Sequence, residues 1–134
     1  MVMSRARSRS YSETAVHTAT PAGRLVLLLD QLDANLDRAG FSLDSGDLAG
    51  SHEGLMGAQA AVALLRDSLR EDVWDGARDL KILYHYVLDK LVWANMDKDR
   101  QHLRDAELVI RPLIAAWRQA AEIVTGEMSG VSGG

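Results

Sequence analysis

The feature that most constrains the fold is a long apolar repeat in the last third of the sequence. Between about residues 99 and 124, apolar residues recur at alternating intervals of three and four positions. The repeat consists of Leu103, Ala106, Ile110, Leu113, Trp117, Ala120 and Val124. This spacing places all of them along one side of an α-helix and predicts the seam of a helical bundle. Pro112 removes one backbone hydrogen bond within the stretch, so we predict a single helix with a kink near Leu108.

A second stretch, from about 21 to 39, also reads as a helix and has a clear start. Thr20 can accept a hydrogen bond from a free amide of the first turn, and Pro21 is tolerated at the first helical position. The apolar stripe that should face the core comprises Leu25, Leu28, Leu29, Leu32 and Leu36. A separate acidic stripe, formed by Asp30, Asp33 and Asp37, is expected to face water.

A loop and another helix are predicted next along the chain. The stretch from 40 to 54 is rich in glycine and serine and has no lasting period, so we predict a loop there, with room for one short turn. Helix two should extend from about Leu55 to Glu71. Its core face comprises Leu55, Ala58, Val62, Leu65 and Leu69.

The predicted third helix, which Asp75 could cap and which ends near Asn95, carries two apolar lines. The line assigned to the core comprises Leu80, Leu83, Tyr84, Val87, Leu91 and Ala94. The second line lies on the other side and comprises Ile82, Tyr86 and Trp93. Two apolar sides indicate either that this helix lies centrally or that it borders an open groove, and periodicity leaves both alternatives open.

The predicted fold is all-α: an antiparallel up-and-down four-helix bundle over residues 21–125, with a mobile N-terminal segment packing on it. Short connections between the last three helices favour antiparallel neighbours. Residues 1–20, in which arginines alternate with serines at the start, predict a mobile segment. The Gly- and Ser-rich stretch 126–134 predicts a disordered tail.

Charge and composition exclude several classes of function. The 134 residues include 19 acidic and 15 basic ones, and the net charge of -4 has the wrong sign for a domain that neutralises phosphates. Cysteine is absent, which excludes disulfides and thiol chemistry and is compatible with a reducing compartment. No stretch approaches the roughly 18 apolar residues of a membrane span, and the start has no apolar run typical of a secretory signal. We therefore expect a cytosolic protein that binds no nucleic acid and does not insert into membranes.

Residue patterns that support catalysis or cofactor binding are missing from the sequence. His17, His52, His85 and His102 are scattered, and no Glu-x-x-His pair of the kind that builds di-iron sites in bundles occurs. No glycine-rich phosphate loop occurs either. A serine nucleophile would lack its strand-to-helix turn in an all-helical chain. The sequence therefore predicts a protein that is not an enzyme and needs no metal or other cofactor.

Apolar residues in excess of one core stripe suggest binding to another protein. They occur mainly on helices one and three, and the front segment adds Tyr11 and Val16. Such surfaces suit the recognition of an amphipathic partner helix in a groove. The alternative is ordinary packing, in which Tyr11 and Val16 pin the front segment to the bundle. Both interpretations hold if the segment covers the groove until a partner displaces it.

Several short motifs occur in a fixed order from about residue 11 to residue 122. The first are Tyr11, Val16, Thr18-Ala19-Thr20-Pro21 and Leu25-Val26-Leu27-Leu28-Leu29-Asp30. The later ones are Ser68-Leu69, Trp74-Asp75-Gly76, Leu83-Tyr84-His85-Tyr86, Leu91, Ala94-Asn95, Asp99 and Ala116-Trp117. No single fragment is specific, but in order and spacing the set resembles the flagellar secretion chaperones that bind flagellin, the FliS-like family.

The resemblance implies a bundle that holds the disordered C-terminal region of newly made flagellin. Holding it would block premature filament assembly in the cytosol and deliver the subunit to the flagellar type III export apparatus. By position, the resemblance implies Tyr11 and Val16 as a movable cover, and Leu25, Leu29, Tyr84, Tyr86 and Asn95 as groove or groove-supporting residues. Tyr86, on the second apolar line, is the strongest candidate for direct contact. The leucines and Tyr84 also belong to the core stripes, and Asn95 could simply cap helix three.

Three positions depart from the family's usual pattern, and two rival functions stay open. Leu29 stands where tyrosine is usual, His85 where aspartate is usual, and Ala77 where a second glycine is usual. The absence of a phenol hydroxyl and a carboxylate removes two possible polar contacts, which indicates a partner surface that differs from the one usual in the family. The first rival is a self-associating structural bundle, or an adaptor for another protein, which the second apolar line would also explain. The second rival is a bundle enzyme that uses a small molecule or a metal.

Overall fold

The structure, a computed structural model, describes residues 19–132 and consists there of four α-helices without a β-strand. The helices are α1 (Pro21–Ser45), α2 (Leu48–Asp67), α3 (Ala77–Asp97) and α4 (Arg100–Ser132). Each packs against two neighbours, in the order α1, α2, α3, α4 and back to α1, which closes the bundle. The predicted all-α four-helix bundle is confirmed. The alternative that places the third helix centrally is wrong, because among the described helices α3 contacts only α2 and α4.

The start of α1 follows from the local sequence. The Thr20 hydroxyl accepts a hydrogen bond from the Gly23 amide at 3.0 Å, and Pro21 occupies the first helical position. The side chain thus satisfies one of the amides that a helix start leaves without a partner, while proline contributes none. The predicted start of helix one is confirmed.

The predicted loop from 40 to 54 is wrong, because only Gly46 and Asp47 separate α1 from α2. Gly46 adopts a left-handed conformation with φ of 76°, and the Asp47 carboxylate accepts a hydrogen bond from the Gly50 amide at 2.9 Å. Of the other glycines that suggested a loop, Gly40 lies inside α1, and Gly50 and Gly54 lie inside α2. A Cβ atom on Gly54 would lie 2.9 Å from the Asn35 carbonyl oxygen, so glycine permits the close approach of the two helices.

The later helix boundaries also differ from the prediction. Helix α2 ends at Asp67, before the predicted end at Glu71. Helix α3 begins at Ala77 after Gly76, and no side chain caps it, so the assignment of Asp75 as its cap is wrong. Helix α4 passes through Pro112 and continues to Ser132, beyond the predicted end at Val124 and into the stretch predicted to be a tail. The kink near Leu108 stays a prediction.

The core confirms the predicted stripes in the first half of the chain and corrects them in the second. Leu29, Leu32 and Leu36 of α1 are fully buried, as predicted. On α4 the buried line continues from Ile110 through Ile114 and Ala121, and not through Ala120 and Val124, which are exposed. A helix with 3.6 residues per turn drifts away from a strict repeat of 3.5, which explains the shift by one position.

The acidic stripe of α1 does not simply face water. Arg111 of α4 lies 2.6 Å from Asp33 and 2.7 Å from Asp37, measured between guanidinium nitrogen and carboxylate oxygen. Arg118 contacts Asp30 at 2.5 Å and Asp33 at 2.7 Å. The stripe therefore forms a row of ion pairs along the α1–α4 interface. None of the helices in the described part of the chain is both long and apolar enough to cross a membrane.

Candidate functional site

A pocket opens at the end of the bundle where α1 begins and α2 ends. Its volume is about 300 Å³. We call it the end pocket, and its lining comprises Leu25, Leu65, Ser68, Leu69, Arg70, Val73, Trp74 and Trp117. Apart from Ser68 and Arg70, every one of these side chains is apolar or aromatic. The end pocket therefore offers a concave apolar surface that a partner side chain can fill.

One wall of the end pocket comes from the segment that connects α2 to α3. The amides of Val73 and Trp74 both donate hydrogen bonds to the Arg70 carbonyl oxygen at 3.2 Å, which folds the segment into a turn. The Trp74 ring lies against Gly76, where an added Cβ would sit 2.5 Å from the ring atom Cζ2. Only glycine leaves room for the ring in this position.

Trp117 of α4 also lines the end pocket, and it is held by a buried tyrosine. The indole nitrogen Nε1 of Trp117 donates a hydrogen bond to the Tyr84 hydroxyl at 2.7 Å. Tyr84 is fully buried. Burial raises the pKa of the Tyr84 phenol above its ordinary value, and the hydrogen bond from Trp117 opposes that shift.

A longer groove between α1 and α2 continues from the end pocket. Its volume is about 610 Å³. The lining of this α1–α2 groove comprises Arg24, Leu25, Leu27, Leu28, Gln31, Leu64, Leu65 and Ser68. Because Leu25, Leu65 and Ser68 line both cavities, the end pocket and the α1–α2 groove form one continuous apolar surface.

A third apolar surface is the outer face of α3. Its exposed side chains include Ile82, Leu83, Tyr86 and Trp93, so the assignment of Leu83 to the core line is wrong. The side-chain ammonium of Lys90 lies 5.7 Å from the centre of the Tyr86 ring and 3.4 Å from an Asp105 carboxylate oxygen of α4. Tyr86 is 41% exposed, so its ring is available to a partner.

Asn95 lies near the far end of α3 and links two helices. Its amide nitrogen lies 3.0 Å from His52 Nδ1 of α2, and its carbonyl oxygen accepts a hydrogen bond from Lys98 at 2.6 Å. Lys98 follows α3 in a left-handed conformation with φ of 50°. The side chain of Asn95 therefore joins α2 to the end of α3.

The structure does not bring the predicted site residues together. Tyr11 and Val16 lie outside the described residues. Leu25 lines the end pocket, whereas Leu29 and Tyr84 are fully buried and can only support a surface that others form. Tyr86 is exposed on the outer face of α3, and Asn95 lies 11 residues beyond Tyr84, about 16 Å along the helix.

Sequence reasoning placed Leu25, Leu65 and Leu69 on apolar stripes but did not predict the end pocket that they line. Trp117 was predicted on the seam of the last helix and Trp74 only within the family resemblance, and the sequence predicted no role for Val73. One signal was present: Val73 and Trp74 form an apolar pair within the charged connection between α2 and α3. An apolar pair in a polar connection indicates a surface contact or a pocket wall.

The end pocket and the α1–α2 groove are lined mainly by apolar side chains. Among residues 19–132 no group of three or more His, Asp or Glu side chains could hold a metal ion. His102 places its Nε2 atom 3.8 Å from the carboxylates of both Asp97 and Asp99, and its Nδ1 atom is buried without a hydrogen-bond partner among the described residues. The arrangement can bury apolar side chains of another chain, and that is the chemistry it supports best.

Comparison with known proteins relates this chain to a family of flagellar proteins. The family described as "Flagellar protein FliS" matches residues 3–124. The chain is 29% identical over 112 residues to a protein of Salmonella typhimurium, with 80% of this chain and 81% of the relative covered. It is 26% identical over 124 residues to a protein of Bacillus subtilis, with 92% of both chains covered. Both relatives are named flagellar secretion chaperone FliS.

Proposed function

Because this chain belongs to the flagellar protein FliS family, we propose that it is a cytosolic export chaperone that binds the disordered C-terminal region of flagellin. Binding prevents premature polymerisation and delivers the subunit to the flagellar type III export apparatus. The names of the two relatives give the broader function, that of a chaperone in flagellar secretion. Our proposal adds that the cargo is flagellin, that its C-terminal region is bound, and that the export apparatus receives it.

The observation that carries the proposal is the continuous apolar surface of the end pocket and the α1–α2 groove. It lies at the edge of a core filled by fully buried side chains, and part of its lining, Leu64, Val73 and Trp74, is at least half exposed. Apolar surfaces of this kind mark sites of interaction with another chain. A disordered cargo segment that folds into amphipathic helices can bury its own apolar face there.

The outer face of α3 supplies a second contact surface in this proposal. Tyr86 provides a large, half-exposed ring with only two side-chain torsions, which makes it well suited to a contact residue. Leu25 contributes from the end pocket, while Leu29 and Tyr84 support the surface from within. Asn95 acts at the far end of α3, where it would orient His52.

The proposed function includes Tyr11 and Val16 as a cover over the end pocket before cargo binds. Leu25, a lining residue of the end pocket, lies five residues after Thr20, about 8 Å along α1. A short segment ahead of Thr20 can therefore reach the pocket. In the proposal, cargo binding displaces Tyr11 and Val16 from it.

Binding of this kind requires no catalytic residue and no cofactor. The affinity derives from apolar burial and from folding of the cargo on the surface. The one alternative with a structural observation in its favour is self-association. Ile82 and Trp93 on the outer face of α3 are at least half exposed and offer an apolar surface to a second copy of the chain. A molecular mass that rises with protein concentration would favour that alternative.

A polymerisation assay tests the proposed function. Purified flagellin is seeded in the presence of increasing amounts of this protein, and filament growth is followed by light scattering. We expect growth to stop at an equimolar ratio, because a bound subunit cannot enter the filament. Flagellin that lacks its C-terminal region should not bind this protein in sedimentation. Undiminished filament growth at excess chaperone would contradict the proposal.

A further inference from the structure

The two tryptophans of the end pocket are each held by a residue that does not line it. Trp117 is held by Tyr84 through the 2.7 Å hydrogen bond, and Trp74 packs on Gly76. Neither Tyr84 nor Gly76 is among the pocket-lining residues. Two large rings from separate elements thus line one cavity, and each contacts a residue outside the lining.

We propose that Tyr84 and Gly76 are positioning residues, which hold Trp117 and Trp74 so that the end pocket receives one large apolar side chain of the bound flagellin segment. The inference rests on the proposed function and adds the anchor of the interaction. It also gives the fully buried Tyr84 a role in binding that requires no contact with the partner.

The hydrogen bond determines the chemical character of the pocket. An indole has a single donor, its Nε1–H, and in Trp117 this donor is already engaged by the Tyr84 hydroxyl. The part of Trp117 that faces the pocket therefore presents carbon. Leu25, Leu65 and Leu69 present carbon as well, and the polar lining residues are Ser68 and Arg70. A polar side chain would find few partners here, so the pocket selects an apolar one.

The size of the pocket and its connection to the groove indicate how the segment lies. A volume of about 300 Å³ suits a single large side chain, whereas the adjoining α1–α2 groove, at about 610 Å³, has room for more of the segment. Leu25 and Leu65 line both cavities. One side chain can therefore enter the end pocket beside the tryptophans while the segment continues along α1 and α2. Because Trp117 is already held by its hydrogen bond to Tyr84, its rotamer does not have to be ordered on binding.

A double-mutant cycle tests whether Tyr84 acts through Trp117. Wild type, Tyr84→Phe, Trp117→Phe and the double variant are prepared as full chains and titrated with the C-terminal segment of flagellin from the same organism. Tyr84→Phe removes only the hydroxyl, and we expect it to weaken binding about 3- to 10-fold, as loss of one hydrogen bond allows. In the Trp117→Phe background, which has no indole N–H, the same change should have no further effect. Tryptophan emission should shift in Tyr84→Phe because the indole loses its partner.

The outcomes separate this inference from the proposed function. If wild type does not bind the segment, the proposed function fails. If wild type and Tyr84→Phe bind equally well, the positioning role is wrong while the proposed function stands. An equal loss in both backgrounds would show that Tyr84 acts only through overall stability, which also overturns the inference.

Gly76→Ala provides an independent test at a site outside the helices. An added Cβ displaces the Trp74 ring, so we expect weaker binding with unchanged helix content by circular dichroism. Gly126→Ala is the matched control, because a Cβ there meets no atom within 4 Å, and it should bind like wild type. Wild-type affinity in Gly76→Ala would show that the position of Trp74 does not matter and would contradict its part of the inference.

Discussion

Gly54 of α2 packs directly on the backbone of Ala39 in α1: a Cβ atom on Gly54 would lie 2.8 Å from the Ala39 amide nitrogen. The neighbouring atoms belong to backbone and cannot rotate away. Gly57 differs, since its Cβ would lie 2.6 Å from the Asn35 side chain, which can rotate. The α1–α2 pair, which carries the groove, is therefore held at a separation that only glycine allows at position 54.

Gly54→Ala should destabilise the bundle. The added methyl group has to push α2 away from α1, and overpacking of this kind costs about 1 to 3 kcal/mol. Urea unfolding followed by circular dichroism measures the change in the free energy of unfolding. Gly126→Ala is the control, because it adds a methyl group in open space within α4 and should raise the stability by about 1 kcal/mol or less. Equal stabilities of the two variants would contradict the packing argument.

Asp33→Asn should destabilise the α1–α4 interface. Asp33 pairs with both Arg111 and Arg118, and all three side chains are no more than 32% exposed. Removing the shared carboxylate charge should lower the free energy of unfolding by about 1 to 2 kcal/mol at low salt. The effect should shrink in 1 M NaCl, where the screening length is about 3 Å.

The control for this prediction is an exposed ion pair. Glu53 pairs with Arg38, and both side chains are at least 52% exposed. Glu53→Gln should change the free energy of unfolding by about 0.5 kcal/mol or less. If Asp33→Asn costs no more than Glu53→Gln, the row of ion pairs does not stabilise the interface.

Stability should fall in alkaline solution through Tyr84. Burial raises the pKa of its phenol above the ordinary value of 10.0. Above pH 10 the unfolded chain loses this proton while the folded chain keeps it, so the unfolded state is favoured as the pH rises further. Urea midpoints between pH 8 and 11 should fall less steeply in Tyr84→Phe than in wild type. Parallel curves would exclude Tyr84 as a source of the pH dependence.

Tyr86→Ala should weaken partner binding more than it weakens folding. The ring is 41% exposed, so its loss removes little from the core but much from the outer face of α3. Tyr86→Phe keeps the apolar ring and should retain most of the affinity. Titration with the flagellin segment and thermal unfolding are measured on the same samples. An equal loss of binding and stability in Tyr86→Ala would remove Tyr86 as a contact residue.

Features that depend on neighbours in sequence were predictable. The cap at Thr20 needs only residues three positions apart, and the leucine stripe of α1 needs only helical spacing. Features that depend on another helix were not. Gly54 reads as a loop residue until Ala39 is placed beside it, and the partner of Asp33 lies 78 positions away at Arg111.

The candidate site was less predictable than the fold for the same reason. The end pocket forms only when the start of α1, the connection after α2 and the second half of α4 come together at one end of the bundle. Leu25 was identified because it lies on a regular stripe, whereas Trp74 lies outside any helix and has no periodicity to reveal it. Tyr84 was correctly placed on the core stripe, but its bond to Trp117 required the register between α3 and α4.

The most direct test of the proposed function is titration calorimetry of the full-length protein with the C-terminal segment of flagellin from the same organism, repeated at several temperatures. We predict saturable one-to-one binding with a large negative heat-capacity change, because a disordered segment folds while it buries apolar surface. The N-terminal region of the same flagellin, tested as a control segment, should give no such signal. Absence of binding by a folded, monomeric protein would contradict the proposed function and leave only the family and the four-helix bundle.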